Sequence, residues 1–152
     1  MKAVGDRRSY IASDSASRLA MEFFKRMDTG GLVAKVHFGT DAEGPPGLAH
    51  NAAVSGALSE AMIFTAWSQG HAVLAMRMNT AFKQMMPSNA SAWIETKLEL
   101  DGPRITIHAS LFTTNGADTV LYAEAEGMFM AIPAAKFGVD GQKVAQMFAA
   151  LS

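Results

Sequence analysis

Gly44-Pro45-Pro46-Gly47-Leu48-Ala49-His50-Asn51-Ala52-Ala53-Val54-Ser55-Gly56-Ala57-Leu58-Ser59-Glu60-Ala61-Met62-Ile63-Phe64-Thr65-Ala66-Trp67-Ser68-Gln69 is the stretch that decides the fold. Pro45 and Pro46 forbid helix before Gly47, and Gly70 is placed to stop one after Gln69. Between them, Ala52, Ala53, Ala57, Ala61 and Ala66 favour helix, and charge is almost absent. A helix apolar nearly all round is buried on most of its sides. The chain offers no second candidate of that kind, so the rest is expected to wrap this one.

Composition sets the bounds. At 152 residues the chain is expected to form one domain, over residues 1–152, with a core of its own. A net charge of −1 gives no electrostatic footing for nucleic acid or for an anionic membrane. Zero cysteines exclude disulfides, thiolate catalysis and Cys-ligated zinc, and fit a reducing compartment. No apolar run follows the charges of Met1 to Arg8, so no signal peptide is expected there. His50, Glu60, Gln69 and His71 break up the apolar stretch, which excludes reading it as a membrane span. A soluble, cytoplasmic protein is the expectation.

Working outward, residues 1–13 are polar and read as a loose arm. Leu19, Phe23 and Met27 recur with Ala20 and Phe24 behind an Asp14 or Ser15 cap, which predicts an amphipathic helix over 14–28. Leu32 to Phe38 alternates, with Leu32, Ala34, Val36 and Phe38 on one face, as a half-buried strand does. After Gly70 the period is two. Leu74, Met76, Met78 and Phe82 are expected to share a face opposite Arg77, Asn79 and Lys83. Ile94, Thr96, Leu98 and Leu100 form the next inner face, and Ile105, Ile107, Ala109 and Leu111 the one after. Asp101-Gly102 and Asn115-Gly116 are hairpin turns. In the last strand, over 119–132, Gly127 marks a bulge or a close backbone approach. Asp140 caps a short terminal helix over 140–151. Strands joined by tight turns imply an antiparallel sheet, and the class is α+β, one sheet curled around one long helix.

Several motifs extend this reading. Glu43-Gly44-Pro45-Pro46-Gly47-Leu48-Ala49-His50, then Ser59-Glu60-Ala61-Met62, then Phe82 with Pro87, and finally Ala123-Glu124-Ala125-Glu126-Gly127-Met128-Phe129 stand in that order. Across residues 30–133 this resembles the hotdog-fold acyl-CoA thioesterases of the phenylacetyl-CoA and 4-hydroxybenzoyl-CoA type. The family pattern has Gly-Gly after the histidine and Asp-Glu-Ala-Met in the helix. Here Asn51 follows His50, and Ser59 stands in the place of the catalytic acid.

The resemblance implies hydrolysis of an acyl-CoA or acyl-carrier thioester at a site between the subunits of a homodimer or tetramer. Coenzyme A would enter as part of the substrate, with no other cofactor. It implies a carbonyl polarised by the backbone N–H after the histidine, here that of Asn51, where the helix dipole favours developing negative charge. Catalytic roles fall on His50, Asn51, Ser59 and Glu60, and substrate contacts on Gly47, Met76, Phe82 and Lys83. Asn51 could instead cap the helix. Glu60 is one residue from the acid position, and one helical step turns it by about 100°. A structural glutamate is the competing reading of it. The missing acid raises a second function, a non-hydrolytic acyl-thioester binding protein, and a dehydratase pairing His37 or His50 with Glu60 is a third. Eleven methionines suit core filling or an adaptable acyl pocket. His37, His71 and His108 are scattered, and no metal-ligand spacing occurs.

Overall fold

A computed structural model of the chain describes residues 2–3, 17–29, 31–137 and 146. Its strands are β1 (Lys2–Ala3), β2 (Leu19–Lys25), β3 (Leu32–Phe38), β4 (Val73–Phe82), β5 (Ala90–Asp101), β6 (Arg104–Asn115) and β7 (Asp118–Ala131). One long helix among the described residues, α1 (Asn51–Ser68), lies between β3 and β4 in the chain. The strands form one antiparallel sheet in the order β1-β2-β3-β5-β6-β7-β4. Short 3₁₀ turns occupy Thr40–Ala42 and Ala134–Phe137.

The sheet wraps α1 as its composition demands. Val54, Ala57, Leu58, Ala61, Met62, Phe64 and Ala66 are all buried. They meet Val36 and Phe38 of β3, Ile94 of β5, Ile105, Ile107 and Leu111 of β6, and Phe129 of β7 in one core. Gly70, at φ +89°, ends the helix. The Gly70 N–H donates to the Trp67 carbonyl at 3.0 Å and the His71 N–H to the Ala66 carbonyl at 2.9 Å, so the last carbonyls are satisfied by a Schellman motif.

Three contacts fix the rotation of α1 in the sheet. Phe64 stacks on Phe23 of β2 at 4.1 Å between centroids. Thr65, buried, shares a hydrogen bond with Thr96 of β5 at 2.7 Å. Met62 lies over Gly127 of β7, where an added Cβ would be 2.8 Å from its Sδ. The close backbone approach expected at Gly127 is therefore what the structure contains.

Residues 19–25, expected to be helical, form β2 instead. A spacing of four, as between Leu19 and Phe23, suits either period, and here pairing decides. Leu19 to Lys25 runs opposite Phe38 to Leu32 in an unbroken ladder. Leu19 and Phe23 are buried against the core, while Phe24 turns outward onto Trp93 at 6.0 Å. Tertiary context overrides the local pattern. The helix expected over 140–151 lies outside the described residues except for Gln146, and so does the arm over 1–13 except for Lys2 and Ala3, which pair with β2.

A second correction concerns β4. Ala75 pairs with Phe129 but Arg77 with Met128, so Met76 is an extra residue in a β-bulge. The bulge reverses the alternation. Leu74, opposite Met130, faces outward, whereas Met78, Thr80 and Phe82 lie opposite Gly127, Ala125 and Ala123 on the helix side. The four residues expected to share a face are split.

Candidate functional site

The lead-in to α1 is built by backbone hydrogen bonds within residues 42–50. His50 N–H donates to the Ala42 carbonyl at 2.7 Å, Gly44 N–H to Leu48 at 2.9 Å, and Leu48 N–H to Pro45 at 2.9 Å. Gly47, at φ +78°, turns the corner with its carbon exposed. Gly44 has a different task. A Cβ there would lie 3.0 Å from His50 Cδ2 and 3.1 Å from its Cα, so the missing side chain lets the imidazole lie against the turn.

His50, with extended φ/ψ of −66° and 139°, is the N-cap. Its Nδ1 accepts from the Ala52 N–H at 2.9 Å. That bond makes Nδ1 the acceptor nitrogen and leaves Nε2 to carry the proton. The capping role foreseen for Asn51 therefore belongs to His50, because the helix begins at Asn51, one residue earlier than a cap at 51 requires. Ala53 and Val54 N–H groups both reach the His50 carbonyl, at 2.9 and 3.2 Å. Asn51 N–H alone in this turn has no partner among the described residues. An unpaired donor at the positive end of an 18-residue helix is suited to an anion or to a carbonyl acquiring negative charge.

The flanks of the helix carry different chemistry. At about 100° per residue, the sweep from Phe64 (against β2) through Thr65 (β5) to Met62 (β7) continues about 60° further to Ser59. Ser59 thus lies on the side of β4, half-buried, and Asn51 and Ser55 precede it on that flank at intervals of four. Glu60 falls on the other flank, about 40° from Phe64 on the β2 side, and is buried. Ser59 and Glu60 thus point about 100° apart, one towards the β4 side and the other towards the β2 side.

Near the β2 flank, a cleft of about 620 Å³ opens beside the helix N-terminus, walled by Arg18, Leu19, Glu43, His50, Ala53 and Gly56. The remaining expected contacts lie along β4, an edge strand. Met76 and Phe82 are exposed there, with Leu74 and Met85. Lys83 follows on the outer face, its Nζ 3.8 Å from Glu124. His37 also points to the outer face, within 2.9 Å of Ser91 Oγ, so the sheet separates it from Glu60. Within one chain, His37 and Glu60 therefore do not face each other.

Sequence reasoning missed Ser88. Its N–H donates to the Gly47 carbonyl at 3.0 Å and its hydroxyl to Glu43 Oε2 at 2.7 Å, across 45 residues of chain. No local pattern marks such a contact.

No family model matches the sequence, and no curated protein matches it. The arrangement of one long helix inside this strand order does match solved structures. A thioesterase superfamily protein aligns over 72% of this chain with a TM-score of 0.64 and 22% identity, the match spanning 55% of that chain. The fold is the hotdog fold that these solved structures share. A hypothetical thioesterase from Streptococcus pneumoniae, crystallised with Coenzyme A, aligns over 74% of this chain and 86% of its own with a TM-score of 0.66 at 11% identity. The E. coli PaaI protein from the phenylacetic acid degradation operon aligns over 74% and 80%, with a TM-score of 0.64 at 14% identity. Among the described residues, no helix is long and apolar enough to cross a membrane, and no group of three or more His, Asp and Glu could hold a metal ion.

Proposed function

We propose that this hotdog protein hydrolyses acyl-CoA thioesters. The single observation that carries the proposal is the unpaired Asn51 N–H, set at the head of α1 by the His50 cap while its neighbours are all paired. A thioester carbonyl oxygen accepts from that N–H. Water adds to the carbon, the charge that gathers on oxygen is stabilised by the donor and the helix dipole, and the C–S bond breaks to release the acid and the thiol. Ser59, on the β4 flank, orients the water. Two solved structures of similar fold are described as containing Coenzyme A, which supports a CoA thioester as the substrate class. Lys83 and Gly47 would lie along the Coenzyme A, with Met76 and Phe82 along the acyl group.

The reading includes a second copy of the chain. Among the described residues β4 is a sheet edge, and it exposes Leu74, Met76 and Phe82. An apolar edge of ten residues is a pairing surface. Pairing β4 to β4 would bring the Ser59 flank of one protomer towards the other and close the site between them.

A non-hydrolytic acyl-CoA binding protein is the second reading, favoured by the position of Glu60 on the far flank and by a hydroxyl where the acid would stand. A panel of aliphatic and aryl acyl-CoA compounds, assayed for released thiol beside thermal shifts with the same compounds, separates the two. Turnover supports hydrolysis, and a shift without turnover supports binding alone. Neither shift nor turnover on any of them would sink both.

A further inference from the structure

The lead-in turn and the connection from β4 to β5 meet at four points. Ala49 N–H donates to the Met86 carbonyl at 2.8 Å, Leu48 bridges to Pro87, and Ser88 N–H donates to the Gly47 carbonyl at 3.0 Å. The fourth is Ser88 Oγ–H to Glu43 Oε2 at 2.7 Å, a short bond with a carboxylate acceptor. It joins the two segments side chain to side chain. Met86 is buried beneath the contact, so this segment is anchored in the core.

From this geometry we infer that Ser88 and Glu43 are positioning residues for the head of α1, an inference that rests on the thioesterase reading given above. Glu43 adjoins Gly44, where a Cβ would lie 3.0 Å from His50 Cδ2, so the bare glycine is what lets the imidazole pack on this turn. His50 in turn caps Ala52 and fixes the first turn in which the Asn51 N–H is left over. Holding the Glu43 carboxylate therefore holds the Gly44 backbone against the imidazole, and the imidazole against the helix. Ser88 lies six residues beyond the end of β4, so the clasp also sets the distance between the donor and the strand along which the substrate would lie. A misplaced donor loses its hold on the developing oxyanion more than on the ground-state carbonyl, because only the former needs it fully.

The test uses the full-length chain carrying Ser88→Ala, Ser88→Thr, Glu43→Gln and the Ser88→Ala/Glu43→Gln double substitution. Two quantities are read: hydrogen exchange at the Ala52 amide, and kcat and KM for an acyl-CoA that the wild type hydrolyses. Ser88→Ala and Glu43→Gln each speed exchange at Ala52 by about 3- to 10-fold, as loss of one hydrogen bond does, while Ile107 in the middle of β6 is unmoved. kcat falls by a similar factor with KM unchanged, Ser88→Thr restores both readouts, and the double substitution is no worse than either single one. Unchanged Ala52 exchange in Ser88→Ala would overturn the inference, whatever the activity. Loss of turnover in Glu43→Gln with none in Ser88→Ala would overturn it too, by making Glu43 the reacting acid. Should the wild type hydrolyse no acyl-CoA, the thioesterase reading fails by itself, and the exchange measurement still decides the clasp.

Discussion

Met62 of α1 and Gly127 of β7 occupy one space: a Cβ at Gly127 would lie 2.8 Å from Met62 Sδ and 2.9 Å from Phe129 Cζ. Replacing a strand glycine by alanine ordinarily gains about 0.5–1 kcal/mol from the unfolded chain. Here overpacking of a buried contact costs about 1–3 kcal/mol and reverses the sign. Gly127→Ala is expected to be destabilised by about 1–2 kcal/mol net in urea unfolding. A variant as stable as the parent would show that helix and sheet are further apart.

The cap at His50 supplies a second prediction. Losing the Nδ1 acceptor for Ala52 in His50→Ala costs about 0.5–2 kcal/mol, and His50→Asn, itself a strong cap, recovers most of it. Urea unfolding of the two variants measures the difference. Equal losses would mean that the ring's packing on Gly44, not its nitrogen, holds the turn.

How far the sequence leads can be judged from such positions. The Gly-Pro-Pro-Gly turn, the helix from Asn51 to Ser68 and the stop at Gly70 follow from local chemistry, and all appear where expected. The strand pairing of β5, β6 and β7 follows from alternation and turn residues in the same way. Residues 19–25 were not legible, because Leu19 and Phe23 are four apart in either geometry and only the partner β3 chooses between them. The Met76 bulge was hidden for a related reason, since an extra residue in one strand is defined by its neighbour. Within the site, the spacing from His50 to Ser59 could be counted, yet the flank on which Ser59 and Glu60 lie needed Phe64, Thr65 and Met62 seated in the sheet.

Outside the site, Arg26 lies between Asp28 and Glu95, with Asp28 Oδ2 at 3.0 Å. The hydrogen bond from Arg26 holds the Asp28 carboxyl below the usual carboxylate range. A carboxyl whose folded pKa is depressed contributes stability above its unfolded pKa and loses it as pH falls through the folded value. Both groups are exposed, so the contribution is small and confined to acid pH. An NMR titration of Asp28 is expected to show a low midpoint that rises in Arg26→Ala. An unmoved midpoint would remove the pair as its cause.

The two flanks of α1 make a further prediction. An acid at Ser59 would face β4 on the side of the Asn51 N–H, so Ser59→Asp is expected to raise acyl-CoA turnover by about 10²-fold, the lower end of what a positioned base contributes. Glu60→Gln, on the β2 flank, leaves turnover as it was. Turnover abolished by Glu60→Gln and unimproved by Ser59→Asp would transfer the base to Glu60.

Asn51→Pro bears most directly on the central claim, because it removes the N–H and little else. Proline is favoured at the first position of a helix, and His50 already holds the extended conformation that a following proline requires, with φ −66° and ψ 139°. Steady-state hydrolysis of an acyl-CoA by the folded variant is expected to fall by about 10²- to 10³-fold in kcat, with thermal stability retained, whereas Asn51→Ala keeps the donor and keeps turnover. An Asn51→Pro protein that hydrolyses the thioester as fast as the wild type would contradict the account.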